Sequence, residues 1–282
     1  MIAYLGTGHL GANFVKAFLQ REEEVQVWNK TAAKAKALEE FGAKAFEDVV
    51  EAVRGASRIH LTLKDDTSVN EVLEKAKAGF EPGVLIIDHT TTSAQGAAER
   101  TELWKGRGYT YLHAPVFMGP VNALESTGTM LVSGDPDIIN AVEPELAKMT
   151  GVVLNFGPKN NTAAGMKLIG NLFLVAMTAG LTDALTLAKA MDISPDNLTT
   201  LFETWNPGTA VLGRLYKITS GTFDQPTWEL DMARKDTQLM MEEATHGGQS
   251  LKAIPAIAAE MDRWIARGEG KSDWTVIGKD VI

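Results

Sequence analysis

The sequence predicts an α/β chain: a doubly wound, mainly parallel N-terminal sheet, then an all-helical C-terminal domain, the two joined by a long helix. Three observations predict this. The run Gly6-Thr7-Gly8-His9-Leu10-Gly11 follows directly on the apolar Ile2-Ala3-Tyr4-Leu5. Strand-like and helix-like runs then alternate to about residue 155, the pattern of a parallel sheet with crossover helices. Past Gly157-Pro158 the pattern changes, and 162–266 holds long helical periodicities with few strand candidates. The expected domains are therefore 1–160 and 161–282.

The first element is a strand at 2–5, turned into a helix by the glycines. Gly6 permits the tight turn, Gly8 lets a pyrophosphate approach the backbone, and Gly11 lets helix and strand pack closely. The free N–H groups at the helix start, at His9 and Leu10, then face negative charge. Asn13–Leu19 has helical spacing and Val25–Trp28 reads as the second strand, which completes the context a dinucleotide fingerprint needs. An acidic residue at the end of that strand would hold the ribose 2′-hydroxyl of NAD. Here Asn29-Lys30-Thr31 stands instead. No carboxylate repels a 2′-phosphate there, and Lys30 and Thr31 suit one, so NADP(H) is expected over NAD(H). Lys30 also reads as an ordinary solvated lysine, and Lys34 and Lys36 read as the exposed face of the next helix.

Further strands are expected at 58–63, 84–88, 110–113, 129–132 and 152–155, with helical patterns such as Ala32–Phe41 and Val69–Ala78 between them. Leu63-Lys64-Asp65-Asp66 fits a loop passing along the cofactor. The long helix is expected from about Thr162 to Met191. Its uncharged stretch Leu168–Thr182 is shorter than the roughly 20 residues a bilayer crossing needs, so it reads as a central buried helix that also packs on a partner subunit. Lys167 and Asn171 stand four residues apart on one face of it. A lysine there either snorkels outward or donates a proton beside a carbonyl, with burial lowering its pKa toward the useful range. Asp183 further along reads as a lysine's partner or a solvated turn.

Composition bounds the rest. A hydrophobic share of 45% with 22% charged residues fits a soluble globular protein. A net charge of −9 without a dense basic cluster argues against nucleic acid as partner. The absence of cysteine excludes disulfides, thiolate metal sites and a thiol nucleophile. His60, His89 and His113 lack close ligand spacing, so no metal is expected. With no leader ahead of the first strand, the expected compartment is the cytoplasm, without membrane attachment.

Five further segments, in order, carry a resemblance. Asp88-His89-Thr90-Thr91 is similar to an Asp-x-Ser-Thr segment, and His113-Ala114-Pro115-Val116-Phe117-Met118-Gly119 to Asp-Ala-Pro-Val-Ser-Gly-Gly. Gly165-x-Lys167-x-x-x-Asn171 looks like a Lys-x-x-x-Asn motif, Lys235-Asp236 like a late Lys-Asp pair, and Gly268-x-Gly270-x-x-Asp273 like a C-terminal signature. Together with the glycine loop they resemble the β-hydroxyacid dehydrogenases, the group of 3-hydroxyisobutyrate and 6-phosphogluconate dehydrogenases. The resemblance covers nearly the whole chain. It implies a Rossmann domain, a helical domain, and a homodimer or homotetramer built on the helical parts. It implies Lys167 as general acid or base, Asn171 at its side, Thr91 by the nicotinamide, and Lys235 near the cofactor. Met118 and Gly119 would lend backbone N–H groups to a small carbonyl or alcohol substrate. Trp205, aromatic beside a helix break, reads as core by type, yet the family's pocket draws on this region.

Phe117 departs from the family's serine. It removes a hydroxyl that helps hold a carboxylate and adds bulk, so a greasier pocket is expected, or a ring that packs and changes little. Ala-Pro-Val-Phe also resembles the imine reductases, which usually lack the helix lysine. The readings in play are a carbonyl reductase acting reversibly on hydroxyacids, an imine reductase, and a non-catalytic dinucleotide-binding protein.

Overall fold

The computed structural model describes residues 1–281. The chain divides into two compact units, Met1–Leu172 and Phe173–Ile282. In the first, β1 (Ile2–Leu5), α1 (His9–Gln20), β2 (Val25–Trp28), α2 (Ala32–Lys36) and β3 (Lys44–Phe46) open the chain. Next come α3 (Val49–Val53), β4 (Arg58–Leu61), α4 (Asp66–Ala76), β5 (Leu85–Asp88), α5 (Ala94–Gly106) and β6 (Thr110–His113). Then follow β7 (Val116–Phe117), α6 (Pro120–Glu125), β8 (Thr129–Val132), α7 (Pro136–Leu146) and β9 (Val152–Asn155). The helix α8 (Thr162–Ala190) begins where the sequence pattern changes, and the division of the units falls inside it.

Six strands form one parallel sheet in the order β3-β2-β1-β4-β5-β6. The order reverses between β1 and β4, and ligands of such sheets bind in the crevice beyond the strand ends at that point. A smaller sheet joins β7 to β8 antiparallel and β8 to β9 parallel. Side chains of β1 alternate between two cores: Ile2 and Tyr4 join Phe14 and Phe18, while Ala3 and Leu5 join Ile59, Leu61 and Leu73. Helices cover both faces of the parallel sheet, so its central strands β1, β4 and β5 are almost wholly buried, while the edge strand β3 is not. The sequence reading missed β3, a three-residue edge strand that begins on Lys44, and the two-residue β7.

One core holds two neutral histidines. His89 Nδ1 lies 2.8 Å from the Ala114 carbonyl oxygen and therefore carries its proton there. Its Nε2 then accepts from His60 Nδ1 at 3.0 Å, which leaves His60 Nε2 bare. Tyr4 stacks on His60 and Phe14 on His89.

The second unit is helical: the rest of α8, α9 (Pro195–Thr204), α10 (Val211–Ser220), α11 (Leu230–His246) and α12 (Ile254–Ile265). Phe223, Leu230, Met261 and Trp264 form its core. Asp183 is neither solvated nor paired with a lysine side chain: its carboxylate accepts the N–H groups of Lys252, Ala253 and Ile254 at the start of α12. Burial pushes that carboxyl up, and the three N–H groups more than offset the push, so it lies below the usual range.

The expectation of a buried α8 is corrected. Leu172 is 68% and Val175 69% exposed, and Ile169, Phe173 and Met177 are also exposed. An 18-residue window of this 29-residue helix has a mean hydropathy of 1.6, so by length and composition it is long and apolar enough to span a bilayer. The uncharged stretch was too short a measure, because the helix continues at both ends of it. Among the described residues no element of the single chain covers Leu172 or Val175.

The histidine pair sets a pH prediction. Burial lowers His60 well below the ordinary 6.5 and His89 to about 4. The unfolded chain therefore binds more protons than the folded one below pH 6.5, and stability falls as pH drops from there. His89 alone removes about 3 kcal/mol by pH 4. The urea midpoint is expected to fall steadily from pH 6.5 to pH 5, and the slope to shrink in His60→Phe. A midpoint flat over that interval contradicts the neutral pair.

Candidate active site

The glycine loop sits at the sheet's switch point. Gly6 has φ +97°, and a Cβ on it would collide with the Thr62 carbonyl oxygen at the end of β4. A Cβ on Gly11 would collide with the carbonyl oxygen of Gly6. A Cβ on Gly8 would meet nothing within 4 Å. Two glycines thus serve close packing, and the third leaves open backbone facing a cavity. The first bond of this turn runs from Ala12 N–H to the Gly8 carbonyl, so the N–H groups of His9, Leu10 and Gly11 lie ahead of the helical ladder.

Gly6, Gly8 and Gly11, with His9 and Leu10, line a cavity of about 400 Å³. Asn29, Lys30, Leu63 and Lys64 line the same cavity. Nine of the expected cofactor residues therefore come together. Asn29 is spent internally: Oδ1 accepts the Thr7 N–H and Nδ2 donates to the Thr31 carbonyl, both at 3.0 Å. It pins the glycine loop to the end of β2, and Lys30 is left as the exposed cation of the pair. Thr31 is exposed at the start of α2, outside that cavity, and its side chain does not cap the helix. Lys34, read from sequence as plain surface, lines a second cavity of about 350 Å³ with Thr7, Gly8 and Lys16. Its signal was its place one turn beyond Thr31. The open Gly8 face, the unladdered N–H groups and the lysines beside them fit a dinucleotide's pyrophosphate and phosphates.

A buried network fixes the loops beyond β4 and β5. Leu63 N–H donates to Thr90 Oγ1 at 2.9 Å, and Thr90 N–H donates to Asp88 at 2.8 Å. His113 Nε2 donates to the Thr90 carbonyl at 2.9 Å. Tyr111 donates to Asp88 at 2.6 Å, and Arg100 reaches both Tyr111 and Asp66. Asp66 also accepts the Ser93 N–H. Burial and the Asp88 carboxylate hold the Tyr111 phenol protonated, well above its usual range. Sequence reasoning missed the roles of Thr90, Arg100 and Tyr111, since the bonds from Leu63 to Thr90, from Arg100 to Asp66 and from Tyr111 to Asp88 span 23 to 34 residues. Thr91 stands exposed on the loop they fix.

Lys167 and Asn171 lie half-buried on α8, one turn apart. Burial lowers the Lys167 ammonium below the ordinary lysine range. Its Nζ sits 4.1 Å from the centroid of the Phe117 ring. Phe117 comes from β7, where it pairs with Thr129. A Cβ on Gly170 would collide with Cζ of that ring and lie 2.8 Å from Cε1. The Met118 side chain turns away and packs on the core of Met130 and Ala123, filling the space beside Gly128. The Gly119 N–H, expected to face substrate, donates instead to Asn122 Oδ1 at 2.9 Å and caps α6.

Two expected residues belong to the second unit. Trp205 is 56% exposed just past α9, stacked on Phe202 at 6.1 Å, so it is not core. Lys235 lies on α11 with its ammonium 2.9 Å from Asp236.

Known proteins share the sequence pattern of the first unit and the fold. Residues 1–157 match the NAD binding domain of 6-phosphogluconate dehydrogenase. The chain is similar to 3-sulfolactaldehyde reductase of Escherichia coli K12, 24% identical over 288 residues, covering 99% of this chain and 95% of the relative. It is similar to 2-(hydroxymethyl)glutarate dehydrogenase of Eubacterium barkeri, 23% identical over 286 residues, covering 99% and 93%. The fold is shared with an imine reductase from Myxococcus stipitatus in complex with NADP+, at a TM-score of 0.93 and 20% identity over the whole of both chains. The domain match runs through the glycine loop and both sheets, more than half of the 282 residues, and with it the chain belongs to the β-hydroxyacid dehydrogenase family of nicotinamide-dinucleotide-binding oxidoreductases.

Proposed function

We propose that the protein is a cytoplasmic, NADPH-preferring reductase of small aldehydes, ketones or semialdehyde acids, acting reversibly as a hydroxyacid dehydrogenase. The observation that carries the reading is the half-buried Lys167 with Asn171 one turn on, in a chain that also holds the open glycine loop. A non-catalytic binding protein has no use for an ammonium in that place.

A bound nicotinamide supplies or takes up the hydride. The protein's part is the proton. In reduction the Lys167 ammonium donates a proton to the carbonyl oxygen as the carbon is reduced, and the amine is reprotonated from water. In oxidation the amine removes the hydroxyl proton. Partial burial favours this, because it brings the lysine down toward working pH. Asn171 holds the substrate oxygen or the ammonium in line. Two relatives named for a sulfolactaldehyde and a hydroxymethylglutarate support a small, acid-bearing carbonyl or alcohol as substrate. Phe117 in place of serine supports weaker reliance on a carboxylate. The imine reductase reading is favoured by that same phenylalanine and by the fold's likeness to such an enzyme. It is disfavoured by Lys167, and a panel of aldehydes and cyclic imines with NADPH separates the two.

Preference for NADPH rests on Lys30, with Lys34 and Thr31 beside it. Lys30→Ala is expected to weaken NADPH by roughly 10- to 100-fold and leave NADH nearly unchanged, the loss of one charge-assisted contact of about 1.5–3 kcal/mol. Equal Michaelis constants for the two cofactors in the unaltered protein contradict the preference. Asn29→Asp is not a clean test, because it also removes the donor to the Thr31 carbonyl.

Lys167→Ala is expected to lower turnover by roughly 10²–10⁴-fold with cofactor binding intact. Lys167→Arg is expected not to rescue it, since arginine stays protonated. Turnover in Lys167→Ala above a third of the original assigns the proton to another group.

We assign the exposed apolar face of α8 to a second copy of the chain, giving a homodimer or a homotetramer. Asn171 and Asp183, on the other sides of the same helix, suit a helix packed on protein better than one crossing lipid. Light scattering is expected to give at least twice the chain mass of 30.4 kDa, and Leu172→Glu with Val175→Glu to yield a monomer. A monomeric unaltered protein at micromolar concentration contradicts the assignment.

A further inference from the structure

We propose that Phe117 is a positioning residue for Lys167: its ring, seated in the notch that Gly170 leaves in α8, holds the ammonium on its face and favours the protonated, proton-donating form. The inference rests on the reading of Lys167 as the proton donor.

Three observations meet here. The Lys167 Nζ lies 4.1 Å from the ring centroid, within the range of a cation on an aromatic face. Gly170, in the interior of a 29-residue helix, costs about 0.8–1 kcal/mol relative to alanine, so its presence needs a reason. The reason is the ring, whose Cζ and Cε1 occupy the space a Cβ would take. Residues 167 and 170 share one helix face, so the ring that fills the glycine notch also underlies the lysine. The ring itself is fixed from the other side by the pairing of β7 with β8.

Two opposing effects act on the ammonium. Burial disfavours the charge and lowers the Lys167 pKa. The negative face of the ring favours it. No titratable residue lies between Val116 and Asn122, on β7 and the turn after it. On α8 itself the next charged residue is Asp183, 16 positions and roughly 24 Å along the axis. The ring is thus the local group that favours the charge. A serine at 117 would supply neither the face nor the dry wall, so this chain replaces a substrate-facing hydroxyl by a lysine-facing ring.

The test compares Phe117→Leu, which keeps an apolar wall and removes the aromatic face. Lysines are reductively methylated with ¹³C-formaldehyde, which keeps their charge, and the Lys167 signal is assigned by its loss in Lys167→Arg. Its pKa in Phe117→Leu is expected to fall by about 0.5–1.5 units, the shift a cation–π contact of this kind implies. Gly170→Ala, which keeps both partners but displaces the ring, is expected to lower it as well. In the Phe117→Leu background, Gly170→Ala is expected to change nothing further, because the shorter side chain leaves the notch free. The alkaline limb of NADPH-dependent reduction is expected to move by the same amount as the pKa. An unchanged Lys167 pKa in Phe117→Leu, with the thermal melt showing a folded protein, overturns the proposal. Additive effects of the two substitutions overturn it too. A pKa that falls while the alkaline limb stays fixed upholds the ring's hold on Lys167 and instead refutes Lys167 as the proton donor.

Discussion

The nucleotide-binding unit depends on a close approach that only glycine allows. The carbonyl of Gly6 sits where a Cβ of Gly11 would be, and the Thr62 carbonyl sits where a Cβ of Gly6 would be. These two absences bring the start of α1 down onto the ends of β1 and β4, at the point where strand order reverses. Everything that makes the site a nucleotide site follows from that placement. The N–H groups ahead of the ladder point outward together, and Gly8 keeps their approach clear. Asn29 then ties the loop to β2, and Thr90 ties the loop after β4 to the loop after β5. An alanine at Gly6 or Gly11 would have to move backbone, not a flexible side chain.

The lysine half of the site rests on a different compromise. An ammonium on an apolar helix is held partly out of water, which lowers its pKa below the ordinary lysine range. Too much burial would discharge it. The Phe117 ring stands between these limits, and Gly170 is the structural cost of admitting it. The same helix leaves a continuous apolar face exposed, and both demands fall within three turns: Lys167 and Asn171 on one side, Leu172 and Val175 on another.

What was legible in the sequence was what depends on local pattern. The seven expected strands lie where period and turn residues put them, and the glycine loop announced its own role. Strand β3 was too short to carry a pattern, and β7 lay hidden inside a motif read for its chemistry. The network around Asp88 ties Leu63 to Thr90, Asp66 to Arg100 and Asp88 to Tyr111 across 23 to 34 residues, so no spacing revealed it. Gly170 drew no reading from sequence, because its reason is 53 residues upstream in Phe117. The exposure of α8 was misread because apolarity alone does not say whether a helix is covered by its own chain or by another. Asp183 shows the same limit: a carboxylate's partner, here the start of α12, is set by tertiary structure.

Under the proposed function, one chain joins a nicotinamide site to a proton-donating Lys167. Transfer of label from C4-deuterated NADPH tests it most directly, with mass spectrometry of the alcohol formed from a small aldehyde or semialdehyde acid. The account predicts one deuterium at the carbinol carbon with the unaltered protein. It predicts near-complete loss of that product with Lys167→Ala, at NADPH affinity unchanged by fluorescence titration. Equal labelled product from Lys167→Ala, or no labelled alcohol from any carbonyl while a cyclic imine is reduced, would contradict it.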